Sequence, residues 1–149
     1  MNLEIGNKAP DFSTPNQKGE TKTLADYSGK KLVLYFYPKD DTPGCTAEAC
    51  NLRDNYSELL NQGFEILGVS PDNEIKHQKF IDKYELPFDL LADVDHNIAE
   101  AYGVWVEKNM YGRKYMGIAR TTFIIDESGN IEEIISKVKT KEHSSQILK

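Results

Sequence analysis

Apolar and polar positions form alternating blocks along this chain, and the blocks predict an α/β fold. Residues 31–37 are almost continuously apolar and aromatic, which is typical of a central strand covered on both faces. Residues 64–69 form a second buried strand. Between them, residues 46–61 carry helix formers with apolar side chains at helical spacing, and Gly63 ends this helix. Together these segments predict a strand–helix–strand crossover unit.

The rest of the chain continues the alternation and closes with a hairpin. Residues 12–24 read as two extended pieces around a polar turn, and residues 126–130 carry the turn signal of a β-hairpin. A crossover unit followed by a hairpin and a closing helix is the thioredoxin-like order. The remaining predicted elements are helices over 73–84, 95–102 and 140–149, and strands over 88–91, 121–125 and 131–138.

We therefore expect a single thioredoxin-like domain over residues 1–149, an α/β fold with a central mixed β-sheet flanked by helices and an N-terminal β-hairpin extension. Hydrophobic residues make up 39% of the chain and charged residues 28%, which is typical of a soluble globular protein. The net charge of −6, without a basic stripe, argues against nucleic acid as a partner. No apolar run approaches the roughly 18 residues of a membrane span. The N-terminus lacks the pattern of a signal peptide, so we expect a cytoplasmic protein without membrane association.

The two cysteines of the chain, Cys45 and Cys50, lie at the junction between the first buried strand and its helix. A thiolate is favoured near a helix N-terminus, and Pro43 and Gly44 give Cys45 a tight entry that orients the first backbone N–H groups toward the sulfur. Free cysteines are often simply buried apolar residues, but this context favours a reactive thiol. In a cytosolic protein, such a pair is more often catalytic or redox-active than structural.

Helix geometry separates the two cysteines. Residues five apart on a regular helix have Cα atoms roughly 8–9 Å apart, beyond the ~7 Å limit for a disulfide. If Cys45 and Cys50 pair, the first turns of the helix must unwind, and the backbone must change between about residues 42 and 52.

A metal site is a weak alternative, because the three histidines are scattered along predicted helices and two thiols at this spacing do not form a zinc knuckle. We expect His77, His96 and His143 to be exposed helix residues, and we expect no metal and no cofactor. Phe36, Tyr37 and Trp105 are interpreted as core or pocket-wall residues.

The sequence around the cysteines resembles the active-site signature of the peroxiredoxins, in particular the bacterioferritin comigratory protein or peroxiredoxin Q branch. The resemblance covers nearly the whole chain, and Cys50 stands where this branch carries its second cysteine. The matching segments are Pro38-x-x-x-Thr42-x-x-Cys45 within residues 36–50, Gly6-x-x-Ala9-Pro10-Asp11-Phe12, Gly103-Val104-Trp105, Tyr111-Gly112 and Gly117-Ile118-x-Arg120-Thr121-Thr122-Phe123.

The resemblance implies a role for each site residue. Cys45 would be the peroxidatic nucleophile that attacks a hydroperoxide. Thr42 could aim its hydroxyl at the sulfur and the peroxide, and Arg120, at the start of a strand, could favour the thiolate and orient the peroxide oxygens. Pro38 would close the pocket and limit water. Backbone N–H groups near Gly44 and Cys45 would complete the donors, so Thr42, Gly44, Cys45 and Arg120 would bind substrate.

The catalytic cycle also follows from the resemblance. Cys45 would become a sulfenic acid, Cys50 would resolve it as an intramolecular disulfide, and thioredoxin or a similar dithiol protein would reduce that disulfide. An intramolecular pair needs no partner subunit, so we expect a monomer that serves antioxidant defence. Glu48 could either favour the helix dipole or hydrogen-bond near the arginine. The rival functions are a thiol–disulfide oxidoreductase, which usually carries C-x-x-C, and a non-enzymatic module with inert cysteines.

Overall fold

The computed structural model describes residues 3–148, and its centre is a five-stranded mixed sheet in the order β5-β4-β3-β8-β9. Strand β3 runs parallel to β4 and antiparallel to β8, while β4 and β5 are parallel and β8 and β9 antiparallel. The strands are β1 Ser13–Pro15, β2 Thr21–Thr23, β3 Lys31–Phe36, β4 Phe64–Ser70, β5 Asp89–Ala92, β6 Trp105–Met110, β7 Arg113–Ile118, β8 Thr121–Ile125 and β9 Ile131–Ile135. The helices are α1 Pro43–Asp54, α2 Tyr56–Asn61, α3 Glu74–Tyr84, α4 Asn97–Ala101 and α5 His143–Ile147.

Strand β3 supplies side chains to both sides of the sheet. Leu32, Leu34 and Phe36 pack into one apolar cluster. Val33 and Tyr35 pack into the other. Because successive side chains of a strand point to opposite faces, a strand between two cores has no polar side, and this explains its continuous apolar sequence. The predicted central mixed sheet flanked by helices is confirmed, and so is the N-terminal hairpin, in which β1 pairs antiparallel with β2.

The helix predicted over residues 46–61 begins earlier and is broken. It starts at Pro43, where a fixed φ suits the first helical position. It ends at Asp54, and α2 follows after Asn55. The Asn55 side chain donates to the carbonyl of Asn51 at 2.9 Å, and such local side-chain bonds compete with regular helix.

A second antiparallel hairpin, formed by β6 and β7, was not predicted. Its turn residues Tyr111 and Gly112 have φ values of 53° and 80°, the positive values that two-residue hairpin turns need. Most of its side chains are exposed or half-exposed, so its sequence lacks the alternation of a half-buried strand. Within residues 3–148, no helix has the length and apolar character needed to cross a membrane.

Candidate active site

The site begins where α1 starts. Thr42 is the extended residue before the helix, Pro43 and Gly44 open it, and Cys45 lies in its first turn with only 2% of its surface exposed. The first intrahelical bond runs from the amide of Thr46 to the carbonyl of Thr42 at 2.8 Å. The amides of Gly44 and Cys45 precede that bond and have no partner inside the helix, so they can donate to a ligand beside the sulfur.

Arg120 reaches this thiol from the sheet. It directly precedes β8, and the register pairs Thr121 with Phe36, so Arg120 lies at the end of β3 where the chain turns toward α1. Its Nη2 donates to the Cys45 sulfur at 3.4 Å. A Cβ atom built on Gly44 would lie 3.2 Å from the same Nη2, so glycine leaves room for the guanidinium. The structure thus brings together three of the residues that the family resemblance singled out, Cys45, Gly44 and Arg120.

Glu48 lies one turn after Cys45 and binds the other side of the guanidinium. Arg120 Nη1 donates to Glu48 Oε1 at 2.6 Å, and the carboxylate is fully buried. Burial raises the pKa of Glu48 to about 7, and the neighbouring Arg120 opposes that rise. Its second oxygen, Oε2, is buried without a hydrogen-bond partner. Of the two roles open for Glu48, the structure supports hydrogen bonding to the arginine.

His143, predicted as exposed, is instead buried beside Glu48. Gln146 Oε1 accepts from the amide of Lys139 and faces His143 Nδ1 at 2.8 Å, so Nδ1 carries the proton. Nε2 then accepts from the Thr122 hydroxyl at 2.7 Å and lies 3.6 Å from Glu48 Oε2. Burial lowers the pKa of His143, which keeps the ring neutral. The prediction of an exposed His143 is therefore wrong. The spacing of His143 and the buried Ile147, four residues apart on one face of α5, could have indicated its burial.

His77 is also completely buried, so its predicted exposure is wrong. It shares one face of α3 with Phe80, Ile81 and Tyr84 at helical spacing, and this pattern could have revealed its burial. Ligand-type atoms of His77, Asp40 and Asp72 lie within 4.8 Å of one another. Hydrogen bonds within the group already engage these atoms.

The third histidine, His96, lies against an aromatic side chain. His96 is half-buried rather than exposed, and its ring stacks on that of Trp105 with centroids 3.7 Å apart. Trp105 packs against an apolar cluster, while Phe36 and Tyr37 are core residues, as predicted.

Thr42 and Pro38 lie on the loop that connects β3 to α1. The Thr42 hydroxyl donates to the carbonyl of Lys39 at 2.8 Å, so its proton is engaged and its oxygen lone pairs remain available as acceptors. The amide of Tyr37 still bonds to the sheet at 3.1 Å, and the half-buried Pro38 follows, without an N–H to continue the ladder. Pro38 therefore ends the strand and starts the loop.

Both cysteines are free thiols within one continuous helix. Cys45 is buried and Cys50 is half-buried. A thiol in the first turn of a helix, faced by a guanidinium and placed on a thioredoxin-like fold, is typical of a thiol-dependent oxidoreductase.

Comparison with known proteins agrees with this class. The family model described as AhpC/TSA family matches residues 5–134. A relative named putative peroxiredoxin bcp from Coxiella burnetii is 52% identical over 148 residues, covering 99% of this chain and 98% of the relative. Peroxiredoxin Bcp from Bacillus subtilis is 51% identical over 148 residues and covers 99% of this chain and 94% of its own length.

Solved structures agree as well. The bacterioferritin comigratory protein of Xanthomonas campestris, whose structures concern its alkyl peroxide reduction activity, superposes with a TM-score of 0.90 at 36% identity, covering 97% of this chain and 95% of that one. A cysteine-to-serine variant of peroxiredoxin Q from Xylella fastidiosa gives 0.93 at 33% identity, covering 99% and 94%. The chain belongs to the AhpC/TSA family, and within it to the Bcp-type peroxiredoxins, which are thiol peroxidases. The predicted peroxidase activity and thioredoxin-like fold are therefore confirmed.

Proposed function

We propose that Cys45 is the peroxidatic residue and Cys50 the resolving residue of this peroxidase. The observation that carries the proposal is the 3.4 Å contact between Arg120 Nη2 and the Cys45 sulfur at the start of α1. The thiolate attacks one peroxide oxygen, the O–O bond breaks, and the other oxygen leaves as hydroxide or alkoxide and takes up a proton. The sulfur becomes a sulfenic acid, oxidised by two electrons, while the peroxide is reduced to water or alcohol.

The surrounding groups stabilise charge that develops on the peroxide. Arg120 orients the peroxide oxygens with a permanent charge and a fixed fork of donors. The amides of Gly44 and Cys45 add two donors from the helix start. The Thr42 oxygen accepts a hydrogen bond from the O–H group of the bound hydroperoxide, and Pro38 limits water at the pocket edge. These positioned donors contribute more to the reaction rate than a lowered pKa of the thiol does. A thiol of ordinary pKa is already a few per cent ionised at neutral pH, so a larger thiolate fraction can raise the rate only modestly.

The second half of the cycle requires α1 to open. Cys50 follows Cys45 by five residues on an unbroken helix, so the two sulfur atoms meet only after the first turns unwind. The Cys50 thiolate then attacks the sulfenic sulfur, the S–S bond forms, the S–O bond breaks, and the oxygen leaves as water. An external dithiol protein of the thioredoxin type supplies the two electrons that restore both thiols.

The substrates we propose are hydrogen peroxide and organic hydroperoxides, which is supported by the alkyl peroxide reduction activity of the Xanthomonas relative. We propose a monomer because the site is built from one chain. We also propose a cytoplasmic location, since a reducing compartment keeps such thiols reduced between turnovers.

The decisive experiment measures peroxide consumption with thioredoxin, thioredoxin reductase and NADPH. Cys45→Ser should abolish the activity. Cys50→Ser should still allow one oxidation of Cys45 but should block turnover by thioredoxin. Activity that survives Cys45→Ser would overturn the assignment of the nucleophile, and thioredoxin turnover that survives Cys50→Ser would overturn that of the resolving residue.

A further inference from the structure

The loop that connects β3 to α1 is tied to the neighbouring elements through Asp40. The Asp40 carboxylate accepts from the Tyr37 hydroxyl and faces His77 Nδ1, each at 2.6 Å. Its backbone N–H donates to Asp72 Oδ2 at 2.8 Å, an oxygen that also accepts from the Ser70 hydroxyl. We call residues 38–42 the cysteine loop, because they lead directly to the helix turn that holds the sulfur.

Both ring nitrogens of His77 face acceptors. Nδ1 lies 2.6 Å from Asp40 Oδ2, and Nε2 lies 2.8 Å from the carbonyl oxygen of Leu91. The ring therefore bridges the Asp40 carboxyl group of the loop and the Leu91 carbonyl of β5. The titratable groups that face the ring from other elements are Asp40, Asp72 and the phenol of Tyr37.

The contact between His77 and Asp40 is a buried hydrogen bond. Their side chains are 0% and 6% exposed. Removing one partner of a buried hydrogen bond leaves the other polar group without a partner, so such a contact favours the one conformation in which it forms. It joins α3 and β5 to the cysteine loop.

The adjacent contact of the same loop has a different character. Lys83 Nζ binds Asp41 Oδ2 at 2.7 Å, but these side chains are 57% and 42% exposed. Exposed ion pairs contribute little, because water and salt screen them. The chain thus offers a matched pair: two contacts from α3 to neighbouring loop residues, one buried and one exposed.

We propose that His77 is a positioning residue for the peroxidase reaction, holding the cysteine loop through Asp40 in the conformation in which Cys45 meets Arg120. The proposal rests on the roles proposed above for Cys45 and Cys50. The same contact opposes the unwinding that brings Cys45 to Cys50. His77 touches neither the sulfur nor the peroxide and acts through the backbone of the loop.

This position gives His77 influence over the fate of the sulfenic acid. One fate is condensation with Cys50, in which the S–S bond forms and water leaves. The other is attack of the sulfenate on a second peroxide, in which the sulfur gains another oxygen to become sulfinic acid and the peroxide is reduced to water or alcohol. A loop held in place extends the time before unwinding and favours the second fate.

The test compares His77→Asn and Asp40→Asn with the wild type, and uses Lys83→Met as the matched control. Stopped-flow oxidation of Cys45 by hydrogen peroxide, in a Cys50→Ser background, measures the positioning effect. Mass spectrometry of the chain with Cys50 present measures the ratio of disulfide to sulfinic acid at Cys45. Thermal unfolding of each variant establishes that the measurements are made on folded protein.

We expect His77→Asn and Asp40→Asn each to slow Cys45 oxidation about tenfold and to raise the ratio of disulfide to sulfinic acid about tenfold, the effect of losing one buried hydrogen bond. Lys83→Met should stay within about twofold of wild type in both measures. The double variant of His77 and Asp40 should resemble the single variants, because both act through one contact.

Folded single variants that match the wild type in both measures would overturn the proposal, as would a double variant in which the two effects multiply. A different result would overturn the proposed function instead. If the wild type forms no disulfide between Cys45 and Cys50, the assigned resolving step is wrong. The rate of Cys45 oxidation would still decide whether His77 positions the loop.

Discussion

Arg120 donates to two acceptors that lie one helical turn apart. Its Nη2 faces the Cys45 sulfur at 3.4 Å, and its Nη1 binds Glu48 at 2.6 Å. Glu48 therefore fixes the orientation of the guanidinium while the second nitrogen remains directed at the Cys45 sulfur. The sequence alone could place Cys45 at a helix start from local pattern. It could connect Arg120, 75 residues away, only through the family resemblance, because no local pattern reports contacts between distant segments.

Replacing Arg120 with alanine should lower the rate constant for Cys45 oxidation by about a hundredfold or more, as expected for a donor to developing charge. This loss should exceed any fall in the thiolate fraction, which can be followed by the ultraviolet absorbance of the thiolate. Arg120→Lys, which keeps the charge and loses the fork, should recover only part of the rate. A rate loss that simply tracked the thiolate fraction would contradict this prediction.

Gly44→Ala should separate activity from stability. The added Cβ would press on Arg120 Nη2 at 3.2 Å and move it by a few tenths of an ångström, so kcat/KM for peroxide should fall about three- to tenfold. The helix itself should gain, since alanine exceeds glycine in helix propensity by about 1 kcal/mol. Urea unfolding together with the peroxidase assay tests both parts. An unchanged kcat/KM in a folded variant would show that the guanidinium tolerates the methyl group.

At the scale of elements, α1 carries the proposed nucleophile, the carboxylate that binds Arg120 and the second cysteine. The sequence predicted this helix from its apolar spacing, but not its start at Pro43 or its break at Asn55. At the break, the Asn55 side chain donates to the Asn51 carbonyl, a local bond that competes with regular helix. Asn51 Oδ1 also accepts from the amide of Ser144 at 2.7 Å, which ties α1 to α5. The apolar spacing that predicted α1 reports neither the side-chain bond of Asn55 nor the contact with the remote α5.

Oxidation should therefore change α1 locally. Treatment with one equivalent of peroxide should alter the backbone between about residues 42 and 52, seen as faster amide hydrogen exchange there or as a changed crystal structure, while the central sheet stays the same. An intact helix cannot hold this disulfide, because it keeps the Cα atoms of Cys45 and Cys50 too far apart. Cys50→Ser treated in the same way is the control and should keep the helix. Superimposable reduced and disulfide-bonded backbones would contradict the prediction.

At the scale of the whole molecule, the site lies where three parts of the fold meet: the end of β3, the start of α1 and the start of β8. Strand β3 could be predicted because it is buried on both faces and reads as an uninterrupted apolar run. The β6–β7 hairpin could not, because its exposed strands lack that signal. The buried histidines were misread for a related reason. A polar side chain is predicted as exposed unless its partners are known, and two partners of His143, Thr122 and Glu48, come from β8 and α1.

The buried pair of Glu48 and His143 should shape the dependence of global stability on pH. The pKa of Glu48 is raised from 4.5 to about 7 in the folded protein. The unfolded chain therefore releases this proton first as pH rises, and stability falls between these values by ~3 kcal/mol. His143, with its pKa lowered by burial, acts in the opposite sense, because the unfolded chain takes up its proton first as pH falls.

Glu48→Gln should remove the fall in stability that Glu48 causes as pH rises, and it should keep the opposite effect of His143. Urea unfolding from about pH 4.5 to about pH 8 should show the stability of the wild type falling relative to the variant as pH rises, by on the order of 3 kcal/mol across the range. Glu107→Gln is the matched control, since its carboxylate is 61% exposed on the hairpin and should leave the curve unchanged. A constant difference between wild type and Glu48→Gln at every pH would mean that Glu48 ionises alike in the folded and unfolded chains. The guanidinium would then offset the full cost of burying the carboxylate, and Glu48 would hold Arg120 as a charged partner throughout this range.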